Sequence, residues 1–198
     1  MKILAFVDMH GSLTAFEKIK SKAEKADIIV CCGDFTIFEQ GLEHFLNVFN
    51  KLNKPFLLIH GNHEEDQVLA HLSKQYSNIH FIHNNHFVKD DVLFLAWGGG
   101  GFSMHDTDFE KQIKKFKGLI DKNKDKAVVF ISHAPPYKTK LDYIVGNHNG
   151  NKSFRKFIEE NRISLSLCGH FHENKDKIDK IGKTTIINPG PNGALINL

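Results

Sequence analysis

The sequence predicts an α/β fold in one domain spanning residues 1–198, and three observations carry that expectation. Short apolar runs of strand length alternate with amphipathic stretches of helical period along much of the chain. In two places, Asn78 to Trp97 and Lys175 to Leu198, strand-like segments follow one another with only short turns between them. Finally, five of the apolar runs stop directly in clusters of residues of metal-ligand type, and in an open α/β sheet the carboxyl ends of neighbouring strands face one crevice.

Lys2 to Val7 reads as the first strand and ends in Asp8 and His10. Leu13, Phe16, Ile19 and Ala23 recur at three to four residues and mark a helix, with Thr14 and Glu17 as its capping-box pair. The strand Ile28 to Cys32 ends in Gly33 and Asp34, and the next helix carries Leu42, Phe45, Leu46, Phe49 and Leu52. Phe56 to Ile59 is a strand followed by His60, Gly61, Asn62, His63 and Glu64. After the strand-rich stretch to Trp97, Phe109, Ile113, Phe116 and Ile120 form a helical stripe, with a capping pair at Thr107 and Glu110. Ala127 to Ser132 ends in His133, a helix covers roughly Lys152 to Asn161, and Leu165 to Cys168 ends in Gly169, His170 and His172. A hairpin turning near Gly182 leads through Asn188-Pro189-Gly190 to a final short strand. Strand-rich stretches inside a βα chain predict mixed sheets packed together with helices outside.

Composition narrows the function. A hydrophobic content of 41% with 17 phenylalanines supports a packed core. The net charge of +3 arises from alternating lysines and acids, and no basic groove with interleaved aromatics stands out, which argues against a nucleic-acid tracking surface. Cys31, Cys32 and Cys168 are odd in number and irregular in spacing, so a reduced, cytoplasmic environment is expected rather than a disulfide framework. No leader pattern or apolar run of membrane-spanning length is visible, and no membrane association is expected. Self-association is left open.

The strand-end residues comprise aspartate, asparagine, histidine and glutamate, without thiolate among the expected ligands. Such oxygen and imidazole donors suit divalent Mn, Fe, Co, Ni or Zn, and the set exceeds what one ion needs. In Asp8-Met9-His10 and His170-Phe171-His172 the ligand types are two apart, so an extended backbone sends both side chains of each pair from one face. Glycines at 11, 33, 61 and 169 fall where a strand must turn or where backbone must come close to a bound group.

Asp8-Met9-His10, Gly33-Asp34, Gly61-Asn62-His63-Glu64, His133 and Gly169-His170-Phe171-His172 resemble, in that order, the motifs of the calcineurin-like metallophosphoesterases. The resemblance implies a four-layer αββα sandwich of two packed mixed β-sheets flanked by helices. It also implies one metal held by Asp8, His10, Asp34 and His172 and a second held by Asp34, Asn62, His133 and His170, with Asp34 bridging. Manganese is the first expectation for both divalent ions, with Fe, Zn, Ni or Co as substitutes. Val7 stands where many members have serine, and Glu64 where aspartate is commoner; neither removes a ligand type.

His63 follows a ligand but belongs to no metal in that scheme, which suits an imidazole that donates a proton to a leaving oxygen or hydrogen-bonds its developing charge. Glu64 has two readings: a second catalytic group holding the other ring nitrogen of His63, or, with Glu65 and Asp66, an acidic start to a helix. His148, in the long loop after His133, is a candidate substrate contact. His44 and His71 read as helix residues, His80, His83 and His86 as residues around a turn, and His60 as structural. The glycines from 98 to 101 lack Walker spacing and read as a loop bordering the crevice.

The expected reaction is hydrolysis of a small phosphoric ester by a hydroxide bridging two metals, without a covalent nucleophile. A phosphodiesterase is favoured because the chain shows no cap insertion and has only two arginines, Arg155 and Arg162, neither beside the ligand motifs. The alternatives are a phosphomonoesterase, a nuclease with nucleic acid as substrate only, or a binding scaffold that has lost turnover.

Overall fold

The computed structural model describes residues 1–101 and 103–198. The strands are β1 (Lys2–Phe6), β2 (Ile28–Cys31), β3 (Phe56–Leu58), β4 (Ile79–Phe81), β5 (Asn85–Lys89), β6 (Val92–Trp97), β7 (Ala127–Ser132), β8 (Tyr143–Ile144), β9 (Asn147–His148), β10 (Leu165–Leu167), β11 (Ile178–Ile181), β12 (Thr184–Ile187) and β13 (Ala194–Asn197). The helices are α1 (Leu13–Ala23), α2 (Leu42–Lys51), α3 (Asp66–Ser73), α4 (Thr107–Lys122) and α5 (Lys152–Glu160). One sheet has the order β13-β1-β2-β3-β4, the other β11-β12-β10-β7-β6-β5, and β8 pairs with β9 as a separate hairpin. In each large sheet the central strands run parallel, while β13, β11 and β5 pair antiparallel with their neighbours.

Residue alternation explains the layering. In β1, Leu4 and Phe6 pack with α1 and α2, whereas Ile3, Ala5 and, just past the strand, Val7 lie on the other face and meet Val129, Ile131, Leu165 and Leu167 of the second sheet. In β6 and β7, Leu93, Leu95, Val128 and Phe130 turn outward onto α4 and α5. Three buried clusters result, one between the sheets and one under the helices on each side. This is the expected αββα order, and it accounts for strands that are apolar on both faces. No described helix is long and apolar enough to cross a membrane.

Two helix starts differ from expectation by a short shift. Ser12, not Thr14, caps α1, its Oγ accepting the Ala15 N–H at 3.3 Å, and Asp106, not Thr107, caps α4 by accepting the Phe109 N–H at 2.8 Å. Ser and Asp are as good at this position as Thr, and the residue that leaves the helix backbone in an extended conformation takes the role. The α4 cap has a second duty: the other carboxylate oxygen of Asp106 accepts the Trp97 indole N–H at 2.8 Å, tying the helix start to the end of β6.

The two sheets touch where the parallel strands end. A Cβ on Gly169, after β10, would fall 2.1 Å from a methyl of Val7, after β1; one on Gly61 would fall 2.0 Å from the Asp34 carboxylate. Neither position has room for a side chain, and this closeness brings the ends of β1, β2, β3, β7 and β10 into one crevice.

Phe109 is fully buried, and its ring packs on Trp97, Phe116, Phe130, Phe154 and Phe157 with centroids 4.9 to 5.9 Å apart. Phe109→Ala is expected to cost about 3 to 5 kcal/mol through the cavity it leaves, read as a lower urea midpoint at unchanged slope.

Candidate functional site

The backbone turns tightly after β1, β2 and β10. Asp8, His10, Asp34 and His170 have φ of 53°, 46°, 52° and 71°, a left-handed conformation that non-glycine residues avoid. Each such residue costs on the order of 1 to 3 kcal/mol and persists only where its surroundings fix it. Here they are fixed by cross-strand bonds: Asp8 N–H to the Gly33 carbonyl (3.2 Å), His10 N–H to the Asp34 carbonyl (3.0 Å), Gly11 N–H to the Phe35 carbonyl (2.9 Å) and His170 N–H to Asp8 Oδ2 (3.0 Å). The turns that break the strands are the turns that aim the side chains inward. Nearby, the Val7 N–H bonds the Gly190 carbonyl and Asn188 accepts the Gly190 N–H, so Asn188-Pro189-Gly190 shapes the adjoining turn.

All seven expected ligand residues meet in this crevice. His10 Nε2 and His172 Nε2 are 2.9 Å apart. His133 Nε2 lies 3.2 Å from Asn62 Oδ1 and 3.4 Å from Asp34 Oδ2, His170 Nδ1 lies 3.0 Å from Asn62 Oδ1, and Asp34 Oδ2 is 4.0 Å from His10 Nε2. Three overlapping donor groups have ligand atoms within 4.8 Å of one another: Asp8, His10 and His172; His10, Asp34 and His63; and Asp8, Asp34 and His133. Two donors each about 2.1 Å from one ion and roughly at right angles stand about 3 Å apart, which matches these separations. Among the described residues the buried Asp8 Oδ1 has no hydrogen-bond partner, a costly state for a carboxylate oxygen unless a cation occupies its open side. Donor chemistry, spacing and this orphaned oxygen all fit divalent metal.

Electrostatics follow from burial and crowding. Burial raises the Asp8 carboxyl to about 6, against the attraction of His133 and His172. Burial also pushes Asp34 upward, but the His133 hydrogen bond and charge, helped by the His63 N–H, outweigh it and hold the group at about 2. Burial disfavours the His133 imidazolium; the Asp34 hydrogen bond and charge and the Asp8 charge nevertheless raise it to about 8. Burial lowers His10 and, reinforced by the His133 charge, lowers His170 to about 4. The His133 Nδ1 bonds the Cys32 carbonyl at 2.9 Å, which fixes that tautomer and turns Nε2 to the crevice.

His63 stands at the rim. Its backbone N–H donates to Asp34 Oδ1 (2.9 Å), its ring meets His10 edge-on with centroids 4.8 Å apart, and its buried Nδ1 has no hydrogen-bond partner among the described residues. Glu64 does not hold that nitrogen. Its buried carboxylate accepts the N–H groups of Asp34 (2.9 Å), Thr36 (2.8 Å) and Gly61 (3.2 Å) and the Thr36 hydroxyl (2.8 Å). Nor does it start a helix, since α3 begins at Asp66 with Glu65 as its cap residue. Burial raises the Glu64 carboxyl, and the Thr36 and Gly61 donors pull it back part of the way.

His148 lies apart from the donor cluster. Its Nδ1–H donates to the buried Asp142 at 2.8 Å, and with Lys138, Thr139, Lys140, Tyr143, Lys177 and Asp179 it lines a cavity of about 360 Å³. Asp142 also accepts the N–H groups of Lys138, Thr139 and Gly150, so it organises the loop that carries His148. His60 packs under Gly98 and Gly99 and bonds the Gly99 N–H through its carbonyl, the structural position expected for it. One rim residue had no signal in the sequence: Phe38, one of many phenylalanines, is 71% exposed and sets its ring 4.8 Å from that of His63.

Two packed mixed sheets with nitrogen and oxygen donors converging at their carboxyl ends define the metallophosphoesterase class. Within it, the calcineurin-like phosphoesterase family matches residues 1–174, and the chain belongs to that family. An uncharacterized protein of Methanocaldococcus jannaschii is 33% identical over 210 residues, covering 99% of this chain and 91% of that protein. Among solved structures, the protein TT1561 of Thermus thermophilus shares the fold with a TM-score of 0.73 at 20% identity, covering 96% of this chain and 88% of that one. A dimetal phosphatase from Danio rerio does so with a TM-score of 0.68 at 9% identity, covering 94% and 86%.

The His133 and Asp34 pair gives the metal-free protein a distinct pH dependence. The raised His133 group contributes stability that is complete below the ordinary value of 6.5 and is lost as pH rises through about 8. His10, His60, His80, His83, His86 and His170, all lowered by burial, act in the opposite sense, because their unfolded counterparts give up protons near 6.5. Urea denaturation in chelator should show the stability of the parent relative to His133→Asn falling by at most about 2 kcal/mol between these pH values.

Proposed function

We propose that the chain is a dinuclear phosphodiesterase. Asp8, His10, Asp34 and His172 hold one divalent cation, and Asp34, Asn62, His133 and His170 hold the other, manganese being the expected ion. The observation that carries this reading is the position of Asp34 Oδ2, 4.0 Å from His10 Nε2 and 3.4 Å from His133 Nε2, so one carboxylate reaches both donor groups. When bound, such a pair of cations acidifies water for attack on phosphorus and neutralises the phosphoryl oxygens.

The protein's own groups do the rest. Asp34, kept ionised by its neighbours, and Asp8, with an open oxygen, supply negative charge that balances the cations. His63 stands beside His10 with its ring at the crevice rim, in reach of an ester oxygen departing from the phosphate, and delivers a proton to it. Glu64 acts through Asp34 and Thr36 by fixing their backbone and is a positioning residue rather than the catalytic one expected. His148, oriented by Asp142, contacts the distal part of the substrate.

Preference for a diester rests on the arginines. Arg155 donates to the Tyr137 and Lys138 carbonyls and to Glu159, and Arg162 to the Lys126, Ile120 and Asn123 carbonyls. Neither remains to grip a terminal phosphate bidentately. Cysteines 31, 32 and 168 are free and buried, which supports the cytoplasmic reading.

With added manganese, bis-p-nitrophenyl phosphate should be hydrolysed with higher kcat/KM than the mono-ester; a strong preference for the mono-ester would overturn the diester reading. His63→Ala should lower kcat by roughly 100- to 10,000-fold while metal analysis still finds both ions. Asp34→Asn should lose metal and activity together, and full occupancy without turnover of any ester would favour a binding scaffold.

A further inference from the structure

We propose that Phe38 is the platform of a leaving-group subsite that takes a planar aromatic ring, of which a nucleobase is the biological example. The inference rests on the phosphodiesterase reading for the direction in which the leaving group departs, and on the geometry of one loop for everything else.

Phe38 is 71% exposed, with its backbone at φ 45°, and Glu39 follows at φ 63°. Two consecutive non-glycine residues in the left-handed region are costly, and the same loop uses glycine for that conformation at Gly41, with φ 72°. A turn needing only to reverse the chain would use glycine or asparagine at 38 and 39 as well. Instead an aromatic side chain is held against both backbone strain and water.

The loop is anchored to the segment that carries His63. The Thr36 N–H and hydroxyl bond Glu64, and Glu39 Oε1 accepts the Glu65 N–H at 2.8 Å. The Gln40 N–H bonds the Ile37 carbonyl at 3.0 Å and closes the turn. Phe38 is therefore fixed relative to His63, with ring centroids 4.8 Å apart and planes inclined by 42°. His63 in turn meets His10 at 4.8 Å. The three rings form a path from solvent to the metal donors.

Chemistry sets what lies on that path. A proton delivered by His63 goes to the departing oxygen, so the group bonded to that oxygen extends outward past Phe38. Ile37 on the same loop is exposed and apolar, as is Leu13 on the segment joined to it by the Gly11 to Phe35 backbone bond, while the loop's polar side chains, Glu39 and the exposed Gln40, follow Phe38. Phe35-Thr36-Ile37-Phe38 carries no charge. An open aromatic face without enclosing walls favours stacking of a flat ring over capture of an alkyl chain.

Calorimetric binding to the manganese-loaded protein tests the proposal, using adenosine 5′-monophosphate, ribose 5-phosphate and hexyl phosphate. The nucleotide should bind roughly tenfold or more tightly than ribose 5-phosphate, as base stacking on an aromatic residue provides. Phe38→Ala should abolish that difference and Phe38→Trp should keep it, with both variants melting at or above the temperature of the parent chain. Equal affinities in the parent, a difference that survives Phe38→Ala, or tighter binding of hexyl phosphate would each overturn the subsite. Nucleotide preference without turnover of any diester would refute the hydrolase reading and leave the ring subsite standing; diester turnover without ring preference would refute the subsite alone.

Discussion

The crevice depends on one buried carboxylate that faces away from it. Glu64 gathers N–H groups from Asp34 and Thr36 on the loop after β2 and from Gly61 on the loop after β3, together with the Thr36 hydroxyl. Three backbone donors that would otherwise be buried without partners are satisfied by a single side chain. Because Asp34 is held this way, its own carboxylate is free to stand between His10 and His133. Glutamate suits the role: one methylene longer than aspartate, it spans from the third strand's loop to the second's.

Strain and charge in the crevice are two sides of one arrangement. Left-handed turns at Asp8, His10, Asp34 and His170 concentrate donors that repel or desolvate one another. Some relief comes within the protein, as when His133 charges against Asp34. The rest is left standing, most plainly at Asp8 Oδ1, which is buried and unbonded among the described residues. A site with these properties is preorganised for cations and loses stability in holding itself open for them.

Much of this was legible in the residues because backbone geometry enforces it. Strand ends in a parallel sheet converge, so the donors after β1, β2 and β3 meet on one sheet and those after β7 and β10 on the other, and the packing of the two sheets joins them. The four-layer order was legible only through the family resemblance, because periodicity by itself supports an α/β fold and no particular layering. What escaped reading depended on direction rather than residue type. Glutamate beside histidine looks like a catalytic pair, yet Glu64 points to backbone N–H groups that no pattern reveals. Ser12 and Thr14 are equally good caps, and only local backbone chooses between them. Phe38 was hidden among residues of its own kind, because an exposed phenylalanine and a core phenylalanine are written alike.

The near contact of Gly169 with Val7 bears on the order of events during folding. Asp8 and His170 are 162 positions apart along the polypeptide yet share a hydrogen bond, and two of the three donor groups draw on the second sheet, through His133 or His172. A nascent chain lacking β10 lacks His170 and His172, so the donor set is complete only when the second sheet docks onto the first.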